Sequence, residues 1–163
     1  INLAAGGFCY FGDITGTNDT DLADNTFAAG SGLLGIAHNV VIENAKGGSA
    51  TDTVVGNSAA NILYGGAGSG IKDTLTGNGG ADTFVCSLSD AVTDASLADV
   101  ITDFINGTDK IGLEDRTWSN LTILDSGADA KIVDIGSSKV LFVLESVDHA
   151  LIDATDFMVT DFV

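Results

Sequence analysis

The chain has 163 residues, 45% of them hydrophobic, and a formal charge of −17 from 23 acidic against 6 basic side chains. It is too apolar for a disordered chain and long enough to bury a core, while so acidic a surface excludes nucleic acid and anionic lipid as partners. Proline is absent against 21 glycines, so Gly, Asn and Asp must make the turns, and no apolar run nears the ~20 residues of a membrane span.

Ile1, Leu3 and then Phe8, Tyr10 and Phe11 flank a Gly6-Gly7 turn signal and predict two short strands. Residues 16–32 are rich in Thr, Asn, Asp and Gly and carry Asp19, Asp21 and Asp24. The segment lacks the glycine and distal Glu of an EF-hand loop, so it is better taken as a solvated surface insertion. Leu33-Leu34 and Val40-Val41-Ile42 are β-prone runs leading to Glu43-Asn44. His38 has no second histidine or acid at metal-ligand spacing. Cys9 and Cys86 either form a single disulfide or remain two buried thiols. With no Met and no charged n-region at its start, the chain is expected to be the C-terminal part of something longer.

Residues 47–85 divide into four similar pieces: GGSATDTVV, GNSAANILY, GGAGSGIKDTLT and GNGGADTFV. Three are nine residues long, and the other carries three more, most simply Ser69, Gly70 and Ile71. On a nine-position frame, position eight is always bulky and apolar: Val54, Leu63, Leu75, Phe84. Its neighbours are almost all β-branched or aromatic, so each piece predicts a strand of about three residues with its middle side chain inward. No such turn buries its apolar residue alone, and stability must come from stacking.

Position six holds Asp52, Asn61, Asp73 and Asp82. Glycine-rich backbone can turn its carbonyls toward one point, and carbonyls plus carboxylates describe a calcium site, with magnesium less suited because of its stricter octahedral geometry. The candidate ligands are Gly47, Ser49, Ala50 and Asp52; Gly56, Ser58 and Asn61; Gly65, Gly66, Ala67, Gly68 and Asp73; and Gly77, Gly79, Gly80 and Asp82. In a two-sheeted roll like sides meet at every second piece, so Asp52 should lie near Asp73, and Asn61 near Asp82, with an ion between each pair. Two or three calcium ions are expected, bound less tightly than in a longer array, because Asn61 lowers the site charge and Ala50 replaces a glycine.

Beyond the repeats, residues 87–99 predict a connecting loop or short helix. Residues 100–105 and 110–113 about Asn106-Gly107 predict a hairpin, and residues 121–124, 131–135 and 139–144 three further strands. Trp118 is expected to anchor that last sheet. No HExxH is present, the only histidines being His38 and His149, so no zinc is expected in this fragment; nor is there a complete GxSxG.

The nonapeptides identify a repeats-in-toxin (RTX) β-roll. Together with INLAAGGF, GLLGIAHNVVIENAKGGSATD, GNSAANILYGGAG and GADTFV followed by DVITDFINGTDKIGL, the chain resembles the C-terminal domain of serralysin-type secreted metalloproteases. The resemblance covers nearly the whole chain, least over residues 16–32 and after Trp118. It implies an all-β fold, a parallel β-roll continued by an antiparallel β-sandwich-like portion. It divides residues 1–163, one C-terminal domain, into leading strands (1–46), roll (47–85) and a C-terminal β portion with export signal (86–163). It makes Asp99 and Asp103 candidate terminal ligands closing the roll, against a plain reading as solvent-facing strand residues, with Asp109 weaker still. ATDFMVTDFV resembles the family's uncleaved export signal, though only two apolar residues follow Asp161 whereas Asp156 is followed by three.

The function expected is a non-catalytic, calcium-binding module of an extracellular bacterial peptidase. Its partners would be calcium, an upstream zinc catalytic domain absent here and the type I secretion machinery, with no nucleic acid and no membrane insertion. The alternative is a calcium-stabilised carbohydrate-binding or adhesive module of another RTX exoprotein, a lyase, epimerase, lipase or adhesin, using Trp118.

Overall fold

The computed structural model describes residues 8–11, 32–35, 42–66, 68 and 70–160. The strand expected at Ile1 to Leu3, Asp19, Asp21 and Asp24 of the insertion, His38, Ala67 and the tail after Thr160 lie outside the described residues.

Strands β1 (Phe8–Phe11) and β2 (Gly32–Gly35) pair antiparallel. From Ile42 the chain winds as a roll. Successive strands β3 (Asn44–Lys46), β4 (Thr53–Val55), β5 (Ile62–Tyr64), β6 (Thr74–Thr76), β7 (Thr83–Cys86), β8 (Asp99–Ile101) and β9 (Lys110–Leu113) fall alternately in two sheets. Within each sheet they pair in parallel, β3 with β5, β5 with β7 and β7 with β9 in one, and β4 with β6 and β6 with β8 in the other. Then β10 (Leu121–Ser126), β11 (Asp129–Asp134) and β12 (Val140–Leu144) form an antiparallel meander whose last strand joins β8, giving six strands, while β13 (Phe157–Val159) joins β9 in the five-stranded sheet. The fold is all-β, a parallel β-roll continued by an antiparallel portion, and among the described residues no helix is long and apolar enough to cross a membrane.

The three-residue strands work because alternate side chains point to opposite faces and only the middle one faces in. Ala45, Leu63, Phe84, Ile111 and Phe157 are in register across one sheet, and Val54, Leu75, Ile101 and Leu144 across the other. Val54, Leu63, Leu75 and Phe84 are all 0% exposed, each buried side chain stabilising the fold by about 1.5–3 kcal/mol. The insertion in the third repeat is confined to its turn, where Ile71 N–H donates to Gly68 O at 3.0 Å, and Thr53 still faces Thr74 in register.

The hairpin expected over residues 100–113 does not form. β8 and β9 lie in different sheets, and the Asn106-Gly107 turn, with Gly107 at φ 78°, carries the chain across the roll instead of back along it. The physical reason is burial. Ile101 covers Leu75 in one sheet and Ile111 covers Phe84 in the other, whereas a hairpin would leave one of those ends open to water. Residues 87–98 contain one 3-10 turn, Ala95–Leu97, whose N–H of Ser96 is capped by Asp94. Trp118 is half-buried and packs on Phe157, ring centroids 4.7 Å apart. Cys86 is a buried free thiol, and burial pushes its pKa well up.

Candidate metal centre

Because strands alternate between sheets, successive turns fall on opposite edges of the roll. Residues 47–52, 65–73 and 87–99 make one edge, ending in Asp52, Asp73 and Asp99; residues 56–61, 77–82 and 103–109 make the other, ending in Asn61, Asp82 and Asp109. On the first edge Asp52 N–H donates to Asp73 Oδ1 and Asp73 N–H to Asp99 Oδ1, both at 2.8 Å. On the second, Asn61 N–H donates to Asp82 Oδ1 at 2.8 Å and Asp82 N–H to Asp109 Oδ1 at 3.0 Å. The pairs Asp52 with Asp73 and Asn61 with Asp82 therefore meet, each rung's carboxylate gripping the backbone of the rung before it.

The glycines admit the close approach of carbonyl oxygens. Gly66 has φ 113° and a Cβ there would fall on Gly48 O; Gly80 has φ 120° and its Cβ would lie 2.5 Å from Ala59 O. On Gly47 a Cβ would collide with Gly65 O and Asp52 Oδ2; on Gly56, with Gly77 O and Asn61 Oδ1. Gly65 and Gly77 are equally hemmed in by Asp73 Oδ2 and Asp82 Oδ2, and a Cβ on Gly68 would lie 3.3 Å from Ser49 O. Ser58 backs Gly79, whose N–H donates to Asn57 O at 3.2 Å, while Ala50 lies exposed on its turn.

Among the described residues no basic side chain forms an ion pair with these carboxylates, and they lie out of water. Asp73 is 4% exposed, Asp82 1% and Asp99 7%. Burial, then the neighbouring charges Asp52 and Asp90, pushes Asp73 up to about 6 despite the N–H it accepts. Burial with Asp109 and Asp103 raises Asp82 to about 6, and burial with Asp73 and Asp90 raises Asp99 to about 7. Every charge acting to raise them is another carboxylate.

Among the described residues no three His, Cys, Asp or Glu side chains converge. The oxygens available to a cation here would be mostly turn carbonyls, with one or two carboxylate oxygens added, and an all-oxygen donor set of that kind suits calcium. The residues fit the ion, and the roll's edges are where it would sit.

Asp103 lies off the ladder. It clamps the fourth turn, accepting from Gly77 N–H at 2.8 Å and Asn78 N–H at 2.7 Å. The ladder's terminal residue on that edge is instead Asp109, 2% exposed, which also accepts from Ile105 N–H at 2.8 Å. A signal for it exists in Asp109-Lys-Ile, which repeats the acid-x-apolar order of Asp82-Thr-Phe, as Asp99-Val-Ile does that of Asp73-Thr-Leu.

A two-sheeted parallel β-roll with a position-six ladder on each edge and glycines under its carbonyls defines a β-roll module built from nonapeptide repeats. Residues 8–126 match the family described as Peptidase M10 serralysin C terminal, and the chain belongs to that family. A search of curated proteins found no match.

Proposed function

We propose that this chain is the non-catalytic, calcium-binding C-terminal module of a secreted serralysin-type metallopeptidase, holding two or three calcium ions on the edges of its roll. The observation that carries the proposal is the ladder Asp52, Asp73, Asp99: carboxylates stacked along one edge of the roll and joined by backbone N–H groups, the latter two buried and raised in pKa by that burial and by neighbouring carboxylates. Such an array is costly without a cation. With one, binding energy becomes folding energy.

In this reading the acidic chain stays unfolded and threadable at the low calcium of a bacterial cytosol. It folds outside after export by a type I machinery, with residues 1–163 behaving as one domain behind a zinc catalytic domain. Asp103 serves as a turn clamp and Asp109 takes the terminal place on the ladder. A carbohydrate-binding reading is not taken up, since Trp118 is engaged with Phe157. Calcium titration by calorimetry tests the proposal: two or three ions per chain are expected, and no heat of binding would overturn it.

A further inference from the structure

The two edges of the roll are not chemically alike. At position two the first edge carries Gly48 and Gly66, while the second carries Asn57 and Asn78. Both asparagine amides donate to carbonyl oxygens of the neighbouring turn, Asn57 Nδ2 to Ile42 O and Asn78 Nδ2 to Gly56 O, each at 2.9 Å. Position six of the same corner is Asn61, 1% exposed. Its Nδ2 donates to Glu43 O at 3.2 Å, Ile42 O at 3.3 Å and Asn57 Oδ1 at 3.4 Å.

The amide orientations follow from the network. Asn57 N–H donates to Asn61 Oδ1 at 2.8 Å and Ala59 N–H to Asn57 Oδ1 at 2.8 Å. A backbone N–H can only donate, so the atoms facing it are oxygens and the atoms facing Ile42 O and Glu43 O are nitrogens. An aspartate at position six behaves in the opposite sense, for Asp73 and Asp82 accept N–H groups of the preceding rung. Of the four position-six residues in the repeats, only Asn61 presents side-chain protons to carbonyls of the rung before it.

Resting on the calcium reading above, we infer that the corner formed by Ile42, Glu43, Asn57 and Asn61 is stitched by amide protons and takes no cation. The two NH2 groups supply protons to the Ile42 and Glu43 carbonyl oxygens, which are thereby satisfied without a charge. This corner therefore needs no cation of its own and is a cation-independent rung on which the calcium-dependent turns can stack. Replacing Asn61 by Asp puts an oxygen where Nδ2 stood, against two carbonyl oxygens with no proton between them, and so creates a demand for a cation.

The test compares the whole chain with its Asn61→Asp and Asn61→Ala variants, counting bound calcium by native mass spectrometry and following melting with and without a chelator. Asn61→Asp is expected to bind one calcium more than the wild type and to melt lower when chelated. Wild type binding calcium with no further ion in Asn61→Asp overturns the inference. Wild type binding none while the variant binds one overturns the calcium reading and leaves the amide corner standing; neither binding overturns both. Should Asn61→Asp not fold, Asn61→Ala decides: its loss of melting temperature should persist at saturating calcium, and full recovery by calcium would overturn the inference.

Discussion

Asp73 N–H donates to Asp99 Oδ1 at 2.8 Å, so two buried carboxylates are tied one rung apart with nothing but backbone between them. Their pKa values rise to about 6 and about 7, above the ordinary value of about 3.9. Between about pH 4 and 7 the folded, calcium-free chain therefore binds more protons than the unfolded one, and stability falls as pH rises. Its melting temperature in chelator should be higher at pH 5 than at pH 7.5, whereas the gain on adding calcium should be larger at pH 7.5. A chelated melting temperature that rises with pH over this window would show that these groups are not buried as charges.

Neutralising the ladder should separate stability from binding. In Asp99→Asn the amide oxygen can still accept the Asp73 N–H while the repulsion of Asp73 and Asp90 disappears. The chelated variant should melt higher than wild type, and its calcium affinity should fall by about tenfold, the order of one lost charge interaction. An unchanged affinity by calorimetry would remove Asp99 from the site.

At Gly66, φ 113° and the Gly48 carbonyl leave no place for a side chain. Gly66→Ala should cost about 1–3 kcal/mol from backbone strain alone and should weaken calcium binding as well, since its Cβ would also press on Gly47 O, a candidate ligand oxygen. By contrast Gly70→Ala meets nothing within 4 Å and bears only the strain of its positive φ, so calcium affinity should be unaffected. Equal losses of affinity in the two variants would argue against a carbonyl site at Gly47.

Leu75 separates the core from the metal. It is 0% exposed, in register with Val54 and Ile101, and bears no ligand atom in the proposed sites. Leu75→Ala should lose about 2–5 kcal/mol, lowering the melting temperature both with and without calcium. A variant that calcium restores completely would mean that the stack contributes little beyond organising the turns.

The inward stack and the meeting of Asp52 with Asp73 were legible because the nonapeptide phase survives the insertion, leaving position six 21 residues from its partner on both edges. The rungs β3, β8 and β9 were not, because residues 87–98 interrupt the nine-residue frame and Ala45 is too small to announce an inward position. Asp109 stands out little in the sequence for the same reason, and Asn106-Gly107 suggests a hairpin because a local turn signal is silent about which sheet the next strand will join. The asparagines at position two carry no periodic hydrophobic signal at all. Only their hydrogen bonds to Ile42 O and Gly56 O reveal them.

The account rests on cation-coupled folding of the roll, and far-UV circular dichroism with thermal melting, recorded in excess calcium and again in excess chelator near pH 7.5, tests it most directly. A cooperative β transition in calcium that weakens and moves to a much lower temperature in chelator, and recovers when calcium is returned, is the predicted result. Identical spectra and melting temperatures in the two conditions would contradict it.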